Sequence, residues 1–101
     1  MNDLLNRIAS IENVMSQPLS NAAKVMKSLG QFSGLVLSDL SHNVRNKLES
    51  ELVQVNHITI KYKIKTNDDF SKMHKKDLKC IIEILSQLCY ELKGMVIKKI
   101  V

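Results

Sequence analysis

The chain has 101 residues, of which 45% are hydrophobic, and a formal net charge of +5. This length fits a single domain, residues 1–101, with a core of modest size. With only two Phe, two Tyr and no Trp, the core must consist of Leu, Ile, Val and Met, which suits packed helices better than a large β-sandwich. One proline and three glycines argue against many short strands.

The amino terminus and the cysteines indicate where the chain acts. The stretch MNDLLNRIAS lacks the basic flank and the apolar run of a signal peptide, and no run approaches the roughly 18 apolar residues of a membrane span. Cys80 and Cys89 fall on opposite sides of a predicted helix, too far apart for a disulfide. We expect a soluble, cytoplasmic protein in a reducing environment, with no membrane partner.

The first predicted element is a helix from about Asn2 to Ser16. Its apolar residues follow steps of four and three, the spacing of one helical face: Leu4, Ile8, Ile11 and Met15. Pro18 disfavours helical geometry at Gln17, so the helix should end there. Ser20 or Asn21 can then cap a second helix.

Residues 21–55 carry one apolar stripe, and two interpretations of it remain open. In the first, a single long helix contains Gly30 and Gly34 on its apolar face, where they allow another helix to approach closely. In the second, Gly30 ends one helix and Ser33 caps the next. The shared helical phase favours the first. It predicts an oligomer or partner contact through seven residues: Gly30, Gly34, Val36, Leu37, Leu40, Val44 and Leu48.

The segment HITIKYKIKT alternates between apolar and basic side chains. Such a period of two predicts a β-strand with Ile58, Ile60, Tyr62 and Ile64 on its apolar face, and Lys61, Lys63 and Lys65 on its basic face. A lone strand leaves its backbone groups unpaired, so it needs a partner strand. Residues 95–101 could supply one within the chain, and a second copy of the segment could supply one across a homodimer.

The last predicted element is a long carboxy-terminal helix. Thr66 and Asp69 resemble a capping box, and from Leu78 onward the apolar positions keep helical phase past Gly94. A helix there leaves residues 95–101 unavailable as a strand, which favours pairing across a homodimer. The predicted fold is therefore mainly α with one β-strand: a short helix, a long central helix, a basic strand and a long helix.

Catalytic and ligand-binding motifs are scarce. Asp39 and His42 share one helix turn with Ser38 and Ser41, yet neighbours on an exposed turn lack the convergent pocket that would orient a base on a nucleophile. The chain has no glycine-rich phosphate loop and no Cys/His spacing of a metal site. We predict that it is not an enzyme and uses no cofactor, metal or small-molecule ligand.

A protein-interaction module is the leading functional hypothesis. A helix over residues 21–55 would be about 50 Å long, whereas a domain of this size has a radius of gyration of about 13 Å. The excess apolar surface predicts a homo-oligomer formed by helix packing, with Ile58, Ile60, Tyr62 and Ile64 also in contact. A short basic chain without catalytic motifs is also typical of a regulator or inhibitor of an unidentified protein partner.

Nucleic-acid binding is the alternative hypothesis. Two copies of the basic strand would form a ribbon, and strand pairs can enter the major groove. The ribbon would present Lys61, Lys63 and Lys65, and a nearby cluster could extend the phosphate contacts: Lys72, Lys75 and Lys76. Lysines on an exposed strand also protect it from edge-to-edge aggregation, so this pattern has a structural explanation as well.

Overall fold

The structure is a computed structural model that describes the backbone of residues 2–100 and the side chains of residues 3–66 and 68–96. It contains four α-helices: α1 (Asn2–Ser16), α2 (Asn21–Gly30), α3 (His42–Thr59) and α4 (Lys75–Ile100). Short 3-10 helices lie in the connections at Leu37–Asp39, Ile60–Tyr62 and Asn67–Lys72. The chain is 81% helical with no β-strand in residues 2–100, so the predicted α+β class is wrong.

The central element is α4, because each of the other three helices packs against it. Its buried stripe holds helical phase along most of its length: Leu78, Ile81, Leu85, Leu88, Leu92 and Val96. One ion pair joins Lys47, in the first half of α3, to Glu91, in the second half of α4. Another joins Lys61, just after α3, to Asp77 near the start of α4, so the two helices run antiparallel. Among the described residues, no helix combines the length and the hydropathy that crossing a membrane requires.

The core has two buried clusters that join into one. Ile8, Val44 and Leu92 belong to the first, and Val25, Val55 and Ile81 belong to the second. Met15 and Phe32 pack against both, so the core is continuous. The radius of gyration is 13.5 Å. This value matches a folded domain of about 100 residues, and no helix of 50 Å extends from it.

Serine hydroxyls begin two of the helices. The N–H of Ala23 donates to Ser20 Oγ at 3.2 Å, and the N–H of Val44 donates to Ser41 Oγ at 3.4 Å. The predicted bounds of α1 agree with the structure, and Ser20, one of the two predicted caps, begins α2. The next helix is capped by Ser41 and not by Ser33.

The chain breaks after Gly30, so a continuous helix over residues 21–55 is wrong. Gly34 has φ +78°, a left-handed conformation that favours glycine. The Arg7 guanidinium donates to the carbonyl oxygens of Gln31 and Ser33, the latter at 2.7 Å, and so satisfies acceptors that follow α2. α2 and α3 each pack against α4, so an apolar face on each of them does not require one continuous helix.

The predicted strand at residues 58–64 is also wrong. Ile58 and Thr59 complete α3, residues 60–62 form a 3-10 turn, and Lys63 adopts φ +52°. Ile58, Tyr62 and Ile64 pack against the second cluster, while Ile60 is 65% exposed. Ile58 and Tyr62 are four residues apart and therefore also share a helical face. The helical conformation satisfies the backbone groups locally, so no second strand is needed.

The carboxy-terminal helix continues past Gly94 as its apolar phase predicts. Residues 95–100 are helical, and position 101 lies outside the described residues. Pairing of this segment with residues 58–64 as a strand is therefore wrong, and so is a strand pair across a homodimer.

Candidate functional site

The break after α2 disperses the residues of the predicted contact stripe. Leu40, Val44 and Leu48 are buried in the first cluster, where they pack within the chain itself. Val36 and Leu37 are exposed beside the 3-10 turn at Leu37–Asp39. Gly30 lies at the end of α2 and Gly34 lies beside Arg7. The predicted residues therefore do not form one surface.

The predicted nucleic-acid lysines lie at one end of the bundle, with no basic strand face. Lys61 Nζ lies 3.0 Å from Asp77, and Lys72 Nζ lies 3.3 Å from Asp69. The others are exposed and form no ion pair with another described residue: Lys63, Lys65, Lys75 and Lys76. Lys79, in the next turn of α4, is likewise exposed and forms no ion pair with another described residue.

A hydrogen-bonded group fastens the turn after α3 to the start of α4. The Tyr62 hydroxyl donates to the Asp77 carboxylate and accepts from the N–H of His74 at 3.4 Å. The Asp77 carboxylate favours the protonated phenol and raises the pKa of Tyr62. The pKa of Asp77 is lowered by the hydrogen bond from Tyr62 and then by Lys61. These hydrogen bonds tie the turn at Ile60–Tyr62 to the first turn of α4.

Asp69 lies in the 3-10 helix at Asn67–Lys72 and holds the residues before that helix in place. Its carboxylate accepts from the N–H groups of Lys65 at 2.8 Å and Thr66 at 3.0 Å. These two backbone donors, followed by Lys72, lower the pKa of Asp69 from 3.8 to about 2. The predicted pairing of Thr66 with Asp69 is thus present, although the helix that it begins is a 3-10 helix.

Asp69→Asn is expected to reduce stability at neutral pH and to make the acid-side loss of stability shallower. The folded pKa lies below the unfolded value, so the stabilisation is complete above 3.8 and disappears as the pH falls towards 2. Urea unfolding measured over a series of pH values, with Asp68→Asn as the exposed neighbouring control, tests this expectation. Equal pH profiles for the two variants would disagree with it.

A groove of about 750 Å³, which we call the α4 groove, opens on the carboxy-terminal half of α4 between residues of α1 and α3. Its lining consists of Glu12, Lys47, Tyr90, Glu91, Lys93, Gly94 and Met95. Tyr90 is 75% exposed, whereas Phe32, Tyr62 and Phe70 all pack against the core. A Cβ atom at Gly94 would meet no heavy atom within 4 Å, so the groove has room for an entering side chain.

Two ion pairs border the α4 groove. Lys93 Nζ lies 3.5 Å from Glu12, and Lys47 Nζ lies 2.5 Å from Glu91. Glu91 and then Glu51 raise the pKa of Lys47, and Lys47 lowers the pKa of Glu91. Both members of that pair are therefore charged at neutral pH. The rim thus presents two bases and two acids around an exposed aromatic ring.

A second groove, of about 380 Å³, lies between α3 and α4 and is lined by Val53, Gln54, His57, Ile58, Cys80 and Ile84. The Cys80 thiol is free and exposed, while Cys89 is free and buried. Burial, with a contribution from Glu12, raises the pKa of Cys89 to about 11, as expected of a core cysteine. Cys89 belongs to the first buried cluster of the core.

The Asp39–His42 turn forms no convergent site. His42 contacts Arg45 at 3.4 Å and Asn46 at 3.1 Å, both on its own helix. Within the part of the chain that the structure describes, no three His, Cys, Asp or Glu side chains come together to hold a metal ion.

The α4 groove is absent from the sequence predictions, although the sequence contained a signal for it. Tyr90 and Gly94 are four residues apart and lie outside the apolar stripe of α4, so an aromatic ring and a missing side chain share its outer face. Comparison with protein-family models, with curated proteins and with solved structures finds no match to this chain.

Proposed function

We propose that the chain is a non-enzymatic protein-interaction module that assembles as a homodimer through the α4 groove. The exposure of Tyr90 is the observation that carries this proposal. Tyrosine is enriched at interface hot spots because its ring is large and rigid and its hydroxyl tolerates water. Tyr90 is the one aromatic side chain here whose ring is not packed against the core.

A second copy of the chain is the occupant that the charges favour. A two-fold dimer uses the same patch on both subunits, so the patch must complement itself. Glu12 and Lys93 border one part of the groove, and Lys47 and Glu91 border another. A rim with both signs can face its own copy without net repulsion, whereas a rim of one sign could not.

The room above Gly94 supports a specific packing arrangement. With a two-fold axis near this part of α4, the ring of Tyr90 would enter the open space at Gly94 of the partner subunit. Helix packing remains the proposed mode of assembly, as in the sequence hypothesis. The contact surface is now the outer face of α4, because the predicted stripe residues Leu40, Val44 and Leu48 are already buried within the chain.

The proposal also includes a cellular compartment for the chain and a regulatory role. Two free thiols, one of them exposed, suit a reducing cytoplasm better than an oxidising compartment. Homodimers with no enzymatic activity commonly act through what they bind, so a regulator or inhibitor of another protein fits this chain. Its second partner would engage surfaces outside the α4 groove.

Light scattering after size exclusion tests the proposal. At micromolar concentration the wild type should elute at twice the 11.5 kDa of one chain. Gly94→Arg should elute as a folded monomer, because its side chain fills the groove and arginine favours helix more than glycine does. Ser50→Arg adds the same charge on an exposed part of α3 and should remain dimeric.

Two results would overturn the proposal. A wild-type mass of 11.5 kDa would exclude the dimer at that concentration. A dimeric Gly94→Arg protein would move any assembly to a different surface.

A further inference from the structure

We propose a second binding surface: the end of the bundle formed by residues 60–79 binds the phosphate backbone of duplex nucleic acid without reading its sequence. We call this surface the basic end. It contains seven lysines against three aspartates and no glutamate or arginine. The inference does not rest on the proposed homodimer, because the basic end and the α4 groove share no residue.

Two of the three aspartates in the basic end are already engaged. Asp77 accepts from Tyr62 and pairs with Lys61. Asp69 accepts from the N–H groups of Lys65 and Thr66 and pairs with Lys72. These contacts lie within the basic end and involve two of its seven lysines, Lys61 and Lys72. The remaining cations face solvent, with Asp68 as the exposed acid among them: Lys63, Lys65, Lys75, Lys76 and Lys79.

The lysines of α4 occupy its outer face. Leu78 and Ile81 bury the opposite side of the same turns in the core. Lys75, Lys76 and Lys79 are exposed, and the spacing of three and four residues brings Lys79 beside the other two. Cations in the first turn of a helix oppose its macrodipole. Helix stability alone would favour acidic residues there, so Lys75 and Lys76, in the first turn of α4, are better explained by an anionic partner.

The chemistry of lysine favours phosphate over base edges. An ammonium group on a flexible stem acts as a point charge, whereas reading guanine or adenine takes the planar groups of Arg, Asn or Gln. Every free cation described at the basic end is lysine. A duplex offers closely spaced phosphates whose counterions are released on binding, which matches several separate point charges.

A membrane surface fits the basic end less well. Interfacial membrane binding grows with the apolar area that enters the headgroup region. Among the described residues of the basic end, Ile60 is the one large hydrophobic side chain that is mostly exposed. The contact differs from the predicted β-ribbon, because its lysines come from a loop and the first turns of α4.

Fluorescence anisotropy with a short labelled duplex of mixed sequence, titrated at several salt concentrations, tests the inference. Wild-type affinity should fall steeply with salt. Lys75→Gln, Lys76→Gln and Lys79→Gln combined should reduce the slope of log K against log salt by about 2 to 3, since each phosphate contact contributes about 0.9. Glutamine keeps the helix propensity, and circular dichroism verifies that the variant is folded.

The matched control is Lys24→Gln, Lys27→Gln and Arg45→Gln combined, which removes the same charge from α2 and α3. It should leave the slope within about one unit of the wild type, because it removes no proposed phosphate contact. Three results would overturn the inference: no wild-type binding at low salt, an equal slope change in both variants, or binding to phosphatidylserine vesicles without binding to duplex.

Discussion

Replacing Ile58 by alanine is expected to lower the free energy of unfolding by about 1 to 3 kcal/mol, whereas the same change at Ile60 should cost less than about 0.5 kcal/mol. Ile58 packs against the second cluster, so its truncation removes contacts and leaves space behind. Ile60 is 65% exposed, and alanine is the better helix former. Urea unfolding of the two variants measures the difference.

This pair of variants distinguishes the helical turn from the strand. In a strand, Ile58 and Ile60 would share the apolar face, and their truncations would cost similar amounts. In the helical structure the two residues point in different directions. Equal losses of stability would therefore contradict the helical assignment of residues 58–62.

Gly34→Ala is expected to destabilise the chain by about 1 to 2 kcal/mol, because alanine pays a steric penalty in the left-handed region. Gly34 has φ +78°. Gly30→Ala should instead stabilise the chain by up to about 1 kcal/mol, since alanine favours helix over glycine. Gly30 is the last residue of α2, and a Cβ atom there would meet nothing within 4 Å. Thermal or urea unfolding measures whether each variant is less or more stable than the wild type.

Stability changes of opposite sign at Gly30 and Gly34 are expected only if the helix ends between the two glycines. In a continuous helix, both positions would lie on one buried face, and added methyl groups would either clash at both or be tolerated at both. Two changes of the same sign would therefore contradict the turn held by Arg7.

The elements that the sequence predicts well are those whose signals are local. The bounds of α1 follow from its apolar spacing and from Pro18, and the cap of α2 follows from Ser20. The continuation of α4 past Gly94 follows from an apolar phase that extends to Val96. In each case, neighbouring residues supply both the pattern and the cause.

The two errors of fold arise where distant contacts decide the conformation. The alternation at residues 58–64 fits a strand, yet Ile58 and Tyr62 also lie one helical turn apart, and the bond from Tyr62 to Asp77 fixes the turn. The carbonyl oxygens that follow Gly30 accept from Arg7, which lies 24 residues away from Gln31 in the sequence. Helical phase alone cannot reveal a guanidinium from another helix.

The candidate surfaces were predictable to different extents. The lysines of the basic end are visible as a cluster in the sequence, but their arrangement follows from the 3-10 helices at Ile60–Tyr62 and Asn67–Lys72, which the sequence did not predict. The α4 groove depends on α1, α3 and α4 meeting around Tyr90, so only the spacing of Tyr90 and Gly94 hinted at it.

The most direct test of the central claim, assembly through the α4 groove, is cross-linking from Gly94→Cys in a Cys80→Ser background with a short thiol-specific bifunctional reagent. Cys89 is buried and does not compete. Assembly through the α4 groove should give rapid formation of a covalent species of twice 11.5 kDa from Gly94→Cys, and little from Ser50→Cys in the same background. Equal yields from the two sites, or a monomer from Gly94→Cys, would contradict it.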